Sequence, residues 1–174
     1  MIPIKPVGAG LNPAGMLSSP ADAAAAFLKP GALNLTVLPP LSLYVHFPWC
    51  VKTCPYCDFN SHEATGGFPE ADYLAALRTD LENALPLIWG RKIYTIFIGG
   101  GTPSLMSAAG LDRLLSDIRT LLPLDGAVEI TMEANPGTFE AEKFRSYRAS
   151  GINRLSIGIQ SCNARHLQAL GRSQ

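Results

Sequence analysis

From Leu41 onward the apolar residues switch between two spacings, and the switches lay out the elements. Leu41-Ser-Leu-Tyr-Val-His-Phe47 repeats every second residue and predicts a strand. Glu70–Ile88 takes helical spacing, with Leu74, Leu77, Leu81, Leu85 and Ile88 along one side. Ile93-Tyr-Thr-Ile-Phe-Ile98 predicts a second strand, ending in Gly99-Gly-Gly101. Ser107–Leu122 predicts a second helix with Leu111, Leu114, Leu115, Ile118 and Leu122 on its buried side. Val128–Ala134 predicts a third strand, and Thr138–Ser150 a third helix stopped by Gly151. Arg154-Leu-Ser-Ile-Gly-Ile-Gln160 predicts a fourth strand, and Asn163–Leu170 opens a fourth helix. Strands alternating with helices predict an α/β fold with a parallel sheet, open or barrel-like. In such folds the functional groups sit on loops after the strands. Four chemically distinct segments fall at those strand ends.

Residues 1–40 differ. Seven prolines, four glycines and the small-residue run Ala21–Ala26, broken by Asp22, give no sustained period. They predict a flexible extension, with one short helix near Ala21–Leu28, ahead of a domain over 41–174. The 14 basic and 14 acidic residues of the 174-residue chain cancel, so no charge-driven nucleic-acid or membrane partner is expected. No apolar run approaches the ~20 residues of a transmembrane helix. The N-terminus lacks the basic and apolar regions of a secretory signal, which predicts a cytoplasmic protein with reduced thiols.

Against that background the densest chemistry is Cys50-Val-Lys-Thr-Cys54-Pro-Tyr-Cys57, directly after the first strand. Three thiolates this close can hold three corners of an iron–sulfur cluster and leave one iron free for a small molecule. Other readings stay open. Cys54-Pro-Tyr-Cys57 alone resembles a dithiol redox site, but that leaves Cys50 idle and expects a helix to start in the motif. Asp58–Gly67 instead reads as loop. A zinc site with His62 or Asp58 as fourth ligand needs further ligands that the sequence does not offer. A disulfide needs an oxidising compartment. Cys162 is expected to be a buried small hydrophobe rather than a ligand.

Gly99-Gly-Gly-Thr-Pro103 lets backbone approach a ligand closely, and no Gly-Lys-Ser/Thr follows to make a phosphate loop. A tight strand-to-helix turn would use the same glycines. Glu133, at the end of an apolar strand, suits an ammonium or ribose, although a solvated strand-end carboxylate is common. Gln160 offers an amide at the next strand end. Arg172 suits a carboxylate, and equally a solvated place near the terminus. Tyr44 and His46 share one face of the first strand, where His46 may be read as ligand-facing or as packed core.

Taken together, Tyr44-Val-His-Phe-Pro-Trp-Cys50, Cys54-Pro-Tyr-Cys57-Asp-Phe-Asn-Ser-His62, Gly99-Gly-Gly-Thr-Pro-Ser104, Glu133-Ala-Asn-Pro-Gly137 and Ser156-Ile-Gly-Ile-Gln-Ser161 resemble the oxygen-independent coproporphyrinogen III oxidase family of radical S-adenosylmethionine (SAM) proteins. The likeness covers Leu41–Arg172. It implies a radical SAM partial (β/α) barrel of six units, here truncated to about four strands and three to four helices. It also implies a [4Fe–4S] cluster on Cys50, Cys54 and Cys57, and SAM against Tyr44, Gly100, Gly101, Thr102, Glu133, Gln160 and Arg172. The decarboxylating oxidases of that family carry a further cysteine two residues after the third ligand, where this chain has Phe59. Phe59 and the following Asn-Ser-His resemble the heme-chaperone branch, which implies heme or a porphyrin as cargo and heme-accepting proteins as partners. A genuine coproporphyrinogen III dehydrogenase is the alternative. The family's chains run to more than twice this length, so the last two strands and the heme-binding part are expected to lie outside this chain.

Overall fold

The computed structural model describes residues 36–136 and 141–172. The expectations for residues 1–35, including the short helix near Ala21–Leu28, fall outside the described residues. A compact unit begins at Pro40. Its elements are β1 (Leu41–Phe47), β2 (Trp49–Cys50), β3 (His62–Glu63), α1 (Glu70–Ile88), β4 (Ile93–Gly100), a 3₁₀ turn at Pro103–Leu105, α2 (Ala108–Leu121), β5 (Leu124–Ala134), α3 (Ala141–Ser150), β6 (Arg154–Ile157) and α4 (Ala164–Ala169).

Four strands form one parallel sheet in the order β1-β4-β5-β6, and β2 pairs with β3 in a separate parallel ladder. Parallel neighbours need helical crossovers, which here are α1, α2 and α3. The strands alternate rather than run wholly apolar. Val45, Phe47, Ile96, Ile98, Ile130 and Met132 are buried beneath Leu111, Leu114, Leu115 and Ile118 of α2 and Tyr147 of α3. The other face carries Ser42, Tyr44 and His46 of β1, in register with Thr95, Phe97 and Gly99 of β4. Glu129, Thr131 and Glu133 of β5 extend that face, and Arg154 of β6 joins Glu129 and Thr131 at 3.2 and 3.3 Å. The sheet is therefore covered on one side and polar on the other. β6 ends the sheet, with Leu155 and Ile157 exposed on it.

Helix α1 begins and ends where its apolar spacing predicts, closing at Trp89 in the left-handed region (φ 56°) before Gly90. Helix α2 is capped by Ser107, whose hydroxyl accepts the Gly110 N–H at 2.9 Å. Glu70 Oε1 and Oε2 in turn accept from the Ser107 N–H and hydroxyl, both at 2.7 Å, so the starts of α1 and α2 are tied together. Farther along, Asp117 of α2 bonds Arg113 at 2.9 Å and Arg78 of α1. Burial works to raise the Asp117 carboxyl, but hydrogen bonds and charge from Arg113 and Arg78 outweigh it and hold it below its ordinary value of 3.8. A carboxyl lowered by folding contributes stability that is full above its unfolded pKa and lost as pH falls through the folded one. Asp117→Asn is therefore expected to lower the thermal midpoint at pH 7 and to converge with the wild type in acid. An equal gap at every pH would show that the carboxylate's charge is not what holds the helices.

Two boundaries differ from the sequence pattern. β5 starts at Leu124, which pairs with Ile93 before the register shifts past Asp125–Ala127 and resumes at Glu129. β6 stops at Ile157, and Gln160 adopts a left-handed backbone (φ 63°) instead of extending the strand. The first described residue of the third helix is Ala141, the stretch from Thr138 lying outside the described residues. Cys162 is exposed, not buried. Its neighbour Asn163 caps α4 by accepting the Arg165 N–H at 2.9 Å, and none of the six residues of that helix is buried.

Candidate functional site

The segment after β1 and the carboxyl ends of β4, β5 and β6 surround one hollow of about 180 Å³. Its first wall is the cysteine segment. Cys50, at the end of β2, is buried, while Cys54 and Cys57 are half-buried at the two ends of a turn closed by Cys57 N–H to Cys54 O at 3.0 Å. All three line the hollow as free thiols. No helix starts within residues 51–60. Among the described residues no three His, Cys, Asp or Glu side chains group as ligands for a single metal ion.

The glycine run forms the floor, and two of its members admit no side chain. Gly100 has φ 114°, and a Cβ there would lie 2.7 Å from Phe47 O and 2.8 Å from the His46 ring. At Gly101 a Cβ would lie 2.4 Å from Trp49 O and 3.0 Å from Cys50 Sγ. The approach is fixed by backbone bonds of 2.6 Å from Gly101 N–H to Phe47 O and from Thr102 N–H to Trp49 O. The glycines thus seat the β4 loop directly under the cysteine segment.

Polar groups complete the walls. Glu133 Oε2 accepts the Gly100 N–H at 3.0 Å, holding a carboxylate beside the floor. Thr102 is buried and its hydroxyl accepts from Asn135 Nδ2 at 3.3 Å. Arg172 Nη2 donates to Asn135 Oδ1 at 2.8 Å, and Nη1 to the Tyr56 hydroxyl at 3.4 Å. Gln160 reaches the same space from its left-handed turn.

Nine of the ten residues singled out in the sequence line this hollow: Cys50, Cys54, Cys57, Gly100, Gly101, Thr102, Glu133, Gln160 and Arg172. Tyr44 does not. It lies on the polar face of the sheet, more than half exposed, stacked on Phe97 with centroids 6.1 Å apart. Burial and the charge of Glu133 raise its phenol above the ordinary value. His46 lies outside both the lining of the hollow and the buried core. Its Nε2 donates to Asn60 O at 2.8 Å, and its Nδ1 shares a hydrogen bond with the Tyr44 hydroxyl at 3.2 Å. The histidine therefore fastens the far end of the cysteine loop to β1. Tyr73 of α1 supports the same point by donating to His46 O, and burial pushes its phenol far above the usual range. Asn135 and Tyr56 are lining residues that sequence reasoning passed over. Their only signals were the Asn-Pro step after β5 and the aromatic between Cys54 and Cys57.

A family model of the radical SAM superfamily matches residues 44–174. The chain belongs to the radical SAM superfamily. Within it, the chain is 56% identical over 135 residues to heme chaperone HemW of Escherichia coli, covering 78% of this chain and 36% of the relative. It is 54% identical over 139 residues to heme chaperone HemW of Haemophilus influenzae, with the same shares covered. The mitochondrial radical S-adenosyl methionine domain-containing protein 1 of Bos taurus is 39% identical over 132 residues, covering 76% of this chain and 30% of that protein. Among solved structures, coproporphyrinogen III oxidase (HemN) from Escherichia coli, described as a radical SAM enzyme, superposes with a TM-score of 0.72 at 35% identity. That match covers 78% of this chain and 31% of the other. The chain is thus a radical SAM α/β unit that spans about a third of the length of the curated relatives it matches. No helix among the described residues is long and apolar enough to cross a membrane.

Proposed function

We propose that the hollow holds a [4Fe–4S] cluster on Cys50, Cys54 and Cys57 with SAM beside it, and that the protein serves heme metabolism as a heme chaperone. The observation that carries the cofactor reading is the meeting of three free thiols, a glycine floor, a carboxylate and a guanidinium in one space. The donor set suits the group. Soft thiolates select iron–sulfur clusters, and three leave one iron without a protein ligand. Gly101 sets the floor close beneath the cysteines, since a Cβ there would lie 3.0 Å from Cys50 Sγ. When bound, the reduced cluster supplies the electron that cleaves a carbon–sulfur bond of SAM.

The chain's own residues bind and orient. Gly100 and Gly101 let backbone lie against the amino-acid part of the ligand. Glu133, fixed by the Gly100 N–H, offers a carboxylate to an ammonium or a ribose hydroxyl. Arg172 offers two nitrogens to a carboxylate, and Thr102 and Gln160 add hydroxyl and amide groups. Phe59 supports the chaperone reading. It lines the hollow, largely exposed, at the position where the decarboxylating oxidases place a further cysteine. Its likeness to the heme chaperone HemW relatives supports the same reading.

Anaerobic reconstitution with iron and sulfide tests the cofactor. A brown protein with about four irons per chain is expected, and a colourless one, or one loaded with zinc instead, would sink the reading. For the branch, a polypeptide continuing this chain to the length of its relatives is expected to bind heme and to leave coproporphyrinogen III unconverted. Robust formation of protoporphyrinogen IX would move the chain to the oxidase alternative.

A further inference from the structure

Asn135 follows the last residue of β5 and bridges two walls of the hollow. Its Nδ2 donates to the buried Thr102 hydroxyl of the β4 loop at 3.3 Å. Its Oδ1 accepts from Arg172 Nη2 at 2.8 Å. An amide is the side chain that can donate on one side and accept on the other at once. The second amino group of Arg172 then reaches Tyr56, between the second and third cysteines, at 3.4 Å. The loop after β6 leaves room for this meeting. A Cβ at Gly158 would lie 3.2 Å from Gln160 Nε2, 3.6 Å from Asn135 Oδ1 and 4.0 Å from Arg172 Nη1. Three polar groups therefore gather around one backbone position that carries no side chain.

We infer that Asn135 is a positioning residue that presents the Arg172 guanidinium to the carboxylate of an amino-acid ligand and, through Tyr56, ties that guanidinium to the cysteine loop. The inference rests on the proposed SAM site and names the part of it that recognises the carboxylate. An arginine side chain has many rotamers, and holding one of them before the ligand arrives removes an ordering cost from binding. Asn135 also occupies one guanidinium edge, which directs the remaining N–H groups to the ligand. Thr102 fixes the amide's own orientation, so the arrangement runs from a buried hydroxyl to the cysteine loop.

Two ligands and a double-mutant cycle test it on reconstituted protein. SAM carries the carboxylate, and 5′-methylthioadenosine lacks both it and the ammonium. Asn135→Leu is expected to weaken SAM about tenfold, 1.4 kcal/mol, without changing iron content or the affinity for methylthioadenosine. Arg172→Met should do the same, and the double variant should be no weaker than Arg172→Met alone, because the asparagine acts through the arginine. Additive losses, equal weakening of both ligands, or wild-type SAM affinity in Asn135→Leu would each overturn the inference. Should Asn135→Leu misfold, Asn135→Ala and the guanidinium ¹⁵N spectrum of the cofactor-free protein give the same answer. Arg172 signals that are slowed in the wild type and averaged in the variant support it, and identical signals overturn it. Wild-type protein that binds neither ligand overturns the SAM reading and this inference with it, whereas normal wild-type binding beside an unaffected variant overturns this inference alone.

Discussion

Changing any one of Cys50, Cys54 or Cys57 to serine is expected to remove the brown chromophore and most of the bound iron, while Cys162→Ser keeps both. The contrast follows from position. The first three thiols line one hollow from a loop held at both ends, and Cys162 is exposed ahead of α4 and outside that lining. A serine oxygen is a harder ligand than a thiolate and does not replace it on an iron–sulfur cluster. Iron content and absorbance after anaerobic reconstitution read the result. Loss at Cys162 equal to the loss at Cys54 would overturn the ligand assignment.

Gly101→Ala is expected to be nearly as damaging although it replaces no cysteine. Its methyl would sit 2.4 Å from Trp49 O, and that atom is backbone, so no side-chain rotation relieves the contact. Two hydrogen bonds of 2.6 Å clamp the same segments together. Overpacking of this kind costs about 3 kcal/mol, which for a domain of this size lowers the melting temperature by roughly 10 °C. The displaced loop should also fail to retain iron, because Cys50 Sγ lies 3.0 Å from the new methyl. Gly126→Ala, where a Cβ meets nothing within 4 Å, is the matched control. A Gly101→Ala protein with wild-type melting and full iron would mean that the two loops separate freely.

The sequence carried most of what is local. Helix α1 was legible to the residue because Leu74, Leu77, Leu81, Leu85 and Ile88 keep one spacing until Trp89 and Gly90 break it. The cysteine and glycine loops were legible because their chemistry lies in a few consecutive residues. Strand four was overextended for a reason the local pattern cannot carry. Leu-Ser-Ile-Gly-Ile-Gln keeps alternating, but Ile157 already pairs with Ala134, the last residue of β5, and no ladder remains beyond it. The sequence pattern starts β5 at Val128, and only pairing with Ile93 brings Leu124 into the sheet. Cys162 read as buried because cysteine usually is, whereas α4 offers it no cover. Asn135 joins Arg172 across 37 positions, and Arg172 joins Tyr56 across 116, so their meeting belongs to the fold.

The small ladder of Trp49–Cys50 with His62–Glu63 has a thermodynamic consequence for how the cysteine loop would take up metal. His62 N–H to Pro48 O at 2.7 Å and Ala64 N–H to Cys50 O at 2.8 Å close the loop with bonds of the backbone alone. Closing a chain segment costs entropy that grows with the logarithm of its length. Here folding of the sheet has already met that cost, so a cluster would order only the interior of a ring that exists. Metal binding and folding are then separable events, unlike in small domains that are unfolded without their metal. Protein stripped of iron should keep its sheet and reload.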